Sequence, residues 1–137
     1  MIRALLLAVA LLGVGRLMFA EWHYARGMAA VDVQTSIEHL TRAGEVYPGS
    51  YTFRTAQAKQ LFNAYMRHVP WIAPAAGESL RRAIAVDPRS VELVSMLLAV
   101  QRREGHCDDG EITAARLLRL APRSERAKSV ASMPCKG

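Results

Sequence analysis

The stretch "SLRRAIAVDP" (residues 79–88) decides the fold: a basic, alanine-spaced segment with apolar residues at helical intervals that halts at a proline. A similar segment returns as "AARLLRLAP" (114–122) and, more faintly, as "LTRAGEVYP" (40–48). Pro88 and Pro122 lie 34 residues apart, a spacing that points to a repeated supersecondary unit. Aligned on the prolines, Ala76, Leu80, Ala83, Ile84 and Val86 of the middle copy match Ser36, Leu40, Ala43, Gly44 and Val46 of the first. The last copy supplies Gly110, Ala114, Leu117, Leu118 and Leu120, with small and large residues partly exchanged. Small side chains let antiparallel helices approach closely, large ones fill the seam with the next unit, and proline ends the helix where no further amide donor is needed.

Between these segments, residues 50–68 and 89–104 read as the first helices of the second and third units. Phe53, Ala56, Ala58, Leu61, Phe62 and Tyr65 recur at helical spacing in one, and Val91, Val94, Leu97, Leu98 and Val100 in the other. Ser90 is placed to cap the later helix, and Asp32 to cap the helix that carries Ile37 and Leu40. Pro48 and Pro88 are 40 residues apart, and the excess over the period fits "VPWIAP" (69–74), read as a loop between the two helices of the middle unit. The polar tail 123–133 reads as a short capping helix.

The small–large–small–proline pattern resembles the second helix of the tetratricopeptide repeat, over roughly residues 21–133. The resemblance implies an all-α fold: a short solenoid of helical hairpins, about three repeats and a capping helix, behind an N-terminal transmembrane helix. The first-helix signature of that family, a bulky aromatic followed by a leucine–glycine pair, is missing here, and a generic array of helical hairpins is the alternative. The domain division expected is 1–26 for anchor and juxtamembrane helix and 27–137 for the repeats.

The N-terminal segment carries its own signal. Residues 4–15, "ALLLAVALLGVG", hold no charged or polar side chain. That run is about 18 Å long as a helix, short of a bilayer crossing. Extending it to Ala20 takes in Arg16, whose long side chain can reach the headgroups, with Trp22 and Tyr24 at the interface. Arg3 would mark the cytoplasmic side. A cleaved secretory leader competes, although Met18 is large for a cleavage site at Ala20. A helix buried in a larger membrane assembly is the third reading. An uncleaved single-pass anchor in a bacterial inner membrane, with a periplasmic C-terminal body, is the expectation adopted.

Setting aside Arg3 and Arg16 leaves 16 basic residues against 12 acidic ones, interspersed. The only basic clusters singled out are pairs, Arg81-Arg82 and Arg102-Arg103, which suit solvated helix faces and argue against a nucleic-acid partner. No Ser-His-Asp order, phosphate-cradling glycine loop or paired-carboxylate cleft is recognisable, so neither an enzyme, a cofactor nor a small-molecule substrate is expected. The two cysteines, Cys107 and Cys135, are expected to form a disulfide if the body is exported; two unrelated thiols are the other possibility. "HCDDGE" (106–111) lacks the spaced ligand pairs of a metal site and reads as a loop with an aspartate cap before Gly110. His23, His39 and His68 lie on separate helices and read as surface or interface residues.

Two contact surfaces remain. Trp71, stiffened between prolines, either stands out as a partner-binding tryptophan or folds back over its own hairpin. A concave face lined by first helices would present Arg54, Lys59, Asn63 and Arg67, with Gln101 and Arg102 on the next unit, to an acidic segment. Tetratricopeptide proteins bind other proteins, so the resemblance implies a membrane-anchored adaptor that holds or braces a partner membrane complex. The stretch "RAGEVYPGSYTFRTAQAK" (42–59) also resembles the helical repeat tails of bacterial O-antigen polymerases and ligases, which implies a helper of surface-polysaccharide assembly. A structural accessory subunit of an energy-converting or secretion complex is the remaining alternative.

Overall fold

The computed structural model describes residues 2–67 and 69–136, without the side chains of Ile2 and Arg3. The expectations for the Arg3 side chain and for His68 therefore lie outside the described residues. Seven α-helices appear there and no strand: α1 Ile2–Ala29, α2 Val33–Val46, α3 Tyr51–Met66, α4 Ala73–Val86, α5 Val91–Arg103, α6 Cys107–Leu120 and α7 Glu125–Ala131. A 3-10 turn, Pro70–Ile72, leads into α4. The chain divides into two compact units, Met1–Gln57 and Ala58–Gly137, with the division inside α3. The boundary expected between residues 26 and 27 falls within the unbroken helix α1.

In the first unit α2 runs back along α1. The Ser36 hydroxyl donates to the Gly27 carbonyl at 2.7 Å, and thirty residues apart in sequence the Arg16 guanidinium donates to the Val46 carbonyl at 3.2 Å. Ala20, Ala43 and Phe53 form the buried core, with Tyr24 and Val46 packed against it. Every described side chain of α1 before Ala20 is exposed. Helix α1 is long and apolar enough, from Ala4 to Ala29, to cross a membrane. Its second half nevertheless belongs to the first hairpin.

In the second unit α4 packs on α5, α5 on α6, and α7 on both α5 and α6. Leu80, Leu93, Leu98 and Leu117 are fully buried there. The proline-aligned positions share a burial pattern along the whole chain. Ser36, Ala76 and Gly110 are buried, as are Leu40, Leu80 and Ala114, and likewise Ala43, Ala83 and Leu117. Four residues before each proline the pattern breaks, because Gly44 and Ile84 are buried while Leu118 is exposed.

The turns after the three helices are built alike. The amides of Tyr47, Asp87 and Ala121 donate back to the carbonyls of Ala43, Ala83 and Leu117. The amides of Ser50, Ser90 and Ser124 donate to the carbonyls of those same capping residues. Each of these serines then accepts, through its hydroxyl, the amide three residues on: Phe53, Leu93 and Ala127. The side chains of those three residues are buried, so each proline–X–serine turn delivers an anchored first turn to the next helix. Asp32 caps α2 as expected, accepting from the Thr35 amide at 2.7 Å. That bond holds its carboxyl below the usual aspartate range.

Two local expectations are corrected. "VPWIAP" is not a loop: after Val69 its residues form the 3-10 turn and the start of α4, where Pro74 sits among the amides that need no helical acceptor. "HCDDGE" is the start of α6, with no side-chain cap at His106; Asp108 and Asp109 lie in the first turn, where carboxylates complement the helix dipole.

Candidate partner-binding groove

The second unit carries an open groove of about 440 Å³. Its floor is the face of α5 that presents Val91, Ser95, Met96 and Ala99, residues one helical turn apart or adjacent. Phe62 of α3 closes one side. Ala127 and Val130 of α7, with Met133 just beyond it, form the other wall, and Glu92 and Arg126 stand at the polar margin. Most of this lining is apolar carbon, a surface that suits an apolar side chain of a partner better than a charged substrate.

The wall formed by α7 is short, and covalent chemistry holds it. Cys107 at the start of α6 is joined to Cys135 with their α-carbons 5.7 Å apart. The Lys136 amide donates to the Arg102 carbonyl at 2.9 Å, and the Arg102 guanidinium reaches the Ala131 carbonyl at 3.4 Å. Gly105 takes the left-handed conformation, φ 77°, where the chain passes from α5 to α6. A β-carbon there would sit 2.9 Å from the Lys136 carbonyl oxygen, so the tail and this turn are fitted to one another.

The residues expected in a groove separate into three kinds. Gln101 is 5% exposed, its side-chain carbonyl without a protein partner, and Arg102 has a side chain 11% exposed that pairs with Glu111 at 2.9 Å. Neither offers its head group to an incoming segment; both lie on the α5 face that packs inward. Lys59 pairs with Glu92 at 2.7 Å on the groove margin, and Arg54 donates to the Pro48 carbonyl at 3.2 Å in the first unit. Asn63 and Arg67 are exposed. The face α5 turns outward carries Ser95, Met96 and Ala99 instead. Helical spacing alone marks both faces of α5 as mixed, and only the packing of α4, α6 and α7 determines which one stays open.

Trp71 is 71% exposed, whereas the next residue, Ile72, is buried. Burying Ile72 under the 3-10 turn aims the tryptophan outward, and the fold-back reading is excluded. The Tyr65 hydroxyl donates to Glu104, and Arg103 stacks 5.2 Å over the Tyr65 ring. Burial, reinforced by the Glu104 carboxylate, pushes this phenol up to about 12. It is a neutral structural donor at physiological pH.

One pairing escaped the sequence reading. His23 and His39, on α1 and α2, meet with their Nδ1 atoms 2.8 Å apart, and the rings of Trp22 and Phe19 pack edge-on around them. Sixteen residues separate the two histidines, and only the antiparallel return of α2 brings them together. Among the described residues no three of His, Cys, Asp and Glu converge as a metal-binding group. The chain matches no protein-family model, and no curated protein is similar to it.

Proposed function

We propose that this protein is a membrane-anchored adaptor: a short tetratricopeptide-like array of helical hairpins, held to a bacterial inner membrane by α1, that binds a protein partner on the periplasmic side. The observation that carries the reading is the uncovered apolar groove between α5 and α7, floored by Met96 and Ala99. Left open, such a surface is costly in water and favours a partner that buries it. The repeated proline–X–serine turns and the shared burial register of the three second helices support the repeat. The Cys107–Cys135 disulfide supports an oxidising compartment. The exposed, apolar first half of α1 supports the anchor. Exposed Trp71 is a second contact candidate, carried by an aromatic ring with no cover of its own.

The test is site-specific photo-crosslinking in native membranes. A photoreactive residue replacing Met96 or Ala99 is expected to capture one membrane-complex subunit, while the same probe at exposed Ile112 on α6 captures none. Equal labelling from all three positions, or none from the groove, removes the adaptor reading. Co-purification of that subunit as a stable detergent-resistant complex would instead favour the accessory-subunit alternative.

A further inference from the structure

We propose that the α1–α2 hairpin holds an anionic phospholipid, the Arg16 guanidinium on its phosphate and one acyl chain along Leu11, Leu12 and Gly15; the proposal rests on the reading of α1 as a membrane anchor. Arg16 interrupts an otherwise apolar flank: Leu12, Val14, Leu17, Met18 and Phe19 around it are all exposed. A cation at such a position needs a partner or the headgroup layer. One of its donors goes to the Val46 carbonyl at 3.2 Å, among the last of α2, where the helix dipole is negative. A guanidinium carries five donors, and among the described residues no carboxylate pairs with Arg16. The nearest acid in sequence to that helix end, Glu45, is drawn to Arg42 at 3.7 Å.

The surroundings supply the rest of a lipid. An apolar cleft of about 470 Å³ runs from Arg16 past Gly15, Leu12 and Leu11, with Phe19 and Val46 beside it. A second hollow of about 410 Å³ shares Arg16 and Val46 and reaches the Tyr47-Pro48-Gly49 turn. A β-carbon on Gly13 or Gly15 would touch nothing, so the helix surface there is left open for a chain to lie on. The same turn carries a second arginine: Arg54 donates to the Pro48 carbonyl at 3.2 Å. Two guanidiniums thus bond carbonyls at the end of α2 and in the turn after it, which makes this turn doubly basic. Trp22, Tyr47 and Tyr51 are half-exposed around the hairpin, the amphipathic rings that favour the headgroup layer. The turn is therefore placed at lipid-phosphate depth. An anionic headgroup adds no cation of its own to this doubly basic turn, whereas a choline headgroup brings one.

The test uses the full chain with Trp71→Phe, so that Trp22 is the sole tryptophan, reconstituted into vesicles mixing phosphatidylcholine and phosphatidylglycerol, one of the two brominated on its chains. Brominated phosphatidylglycerol is expected to quench Trp22 several-fold more efficiently than brominated phosphatidylcholine at equal content. Arg16→Gln with Arg54→Gln should bring the two lipids level, while Arg119→Gln with Arg123→Gln, which removes as much charge elsewhere, should not. Equal quenching in the parent chain, or a preference that survives Arg16→Gln with Arg54→Gln, overturns the lipid site. Flotation separates the two readings: a chain that floats with both vesicle types but shows no preference keeps its anchor and loses the site. A chain that floats with neither loses both. Unchanged far-ultraviolet circular dichroism in the variants shows that the helices persist.

Discussion

Gly27 is the tightest point of the first hairpin. A β-carbon there would lie 2.8 Å from Leu40 Cγ and 3.1 Å from the Ser36 carbonyl oxygen, and that backbone cannot move without displacing α2. Gly77, also buried, differs: its added carbon would meet only the Arg81 guanidinium, at 3.8 Å. Gly27→Ala is expected to cost about 1–3 kcal/mol through overpacking, and Gly77→Ala to add about 0.5–1 kcal/mol through helix propensity. Opposite shifts in thermal midpoint check the pair, and shifts of one sign would contradict the packing described. Gly27 did not announce its role in sequence, because Leu40, which fills its space, comes from another helix. Tyr65 yields a pH prediction. Its phenol is raised from 10.0 to about 12, so the folded state holds this proton more tightly than the unfolded chain. The resulting stabilisation is fully present below pH 10 and is lost as the pH climbs through 12. An ultraviolet titration should show one tyrosine ionising well after the others, and Tyr65→Phe should remove that late step.

The elements repeat a junction more faithfully than the residues suggest. Proline–X–serine occurs at 48–50, 88–90 and 122–124, and each serine caps the helix that follows. Ser90 was legible as a cap because a clear apolar periodicity follows it. Ser50 and Ser124 stand in the same relation to their prolines and were equally available as a signal. The start of α6 was misread because two aspartates beside a glycine suggest a turn, whereas Gly110 is small so that α6 can approach Arg102, whose Nε would lie 3.4 Å from an added β-carbon. The disulfide joins α6 to the tail across 28 residues. Cys107→Ser with Cys135→Ser is expected to lower stability by about 3–4 kcal/mol by the loop-entropy relation. The loss should appear first as faster hydrogen exchange in α7 and residues 132–136. Intact mass with and without reductant should differ by two hydrogens. Unchanged exchange in α7 would show that its packing on α5 and α6 suffices without the bridge.

At the scale of the whole molecule, two compact units share α3, and each has its own buried centre. Their first helix has two halves with different fates. Residues 4–19 expose apolar side chains, while Ala20, Tyr24 and Gly27 are built into the hairpin with α2. A chain starting at residue 16 is therefore expected to keep the cooperative unfolding of α2. One starting at residue 27, the boundary expected from composition, should lose it, because α2 then loses the α1 surface that helps bury Leu40 and Ala43. Circular dichroism melts of the two truncations check this, and similar melts would place the hairpin's stability elsewhere.

Composition and period by themselves determined the helical segments, the apolar first helix, the spacing of the prolines and the only cysteine pair that could form. These are local or counting properties: helical periodicity, chain-ending prolines and an even cysteine count need no knowledge of neighbours. Tertiary structure alone decided that α5 buries Gln101 and opens Met96, that His23 meets His39, and that Arg16 caps α2. Each is a choice among faces or partners, made by which helices pack together, and a single chain read in order carries no direct record of that packing.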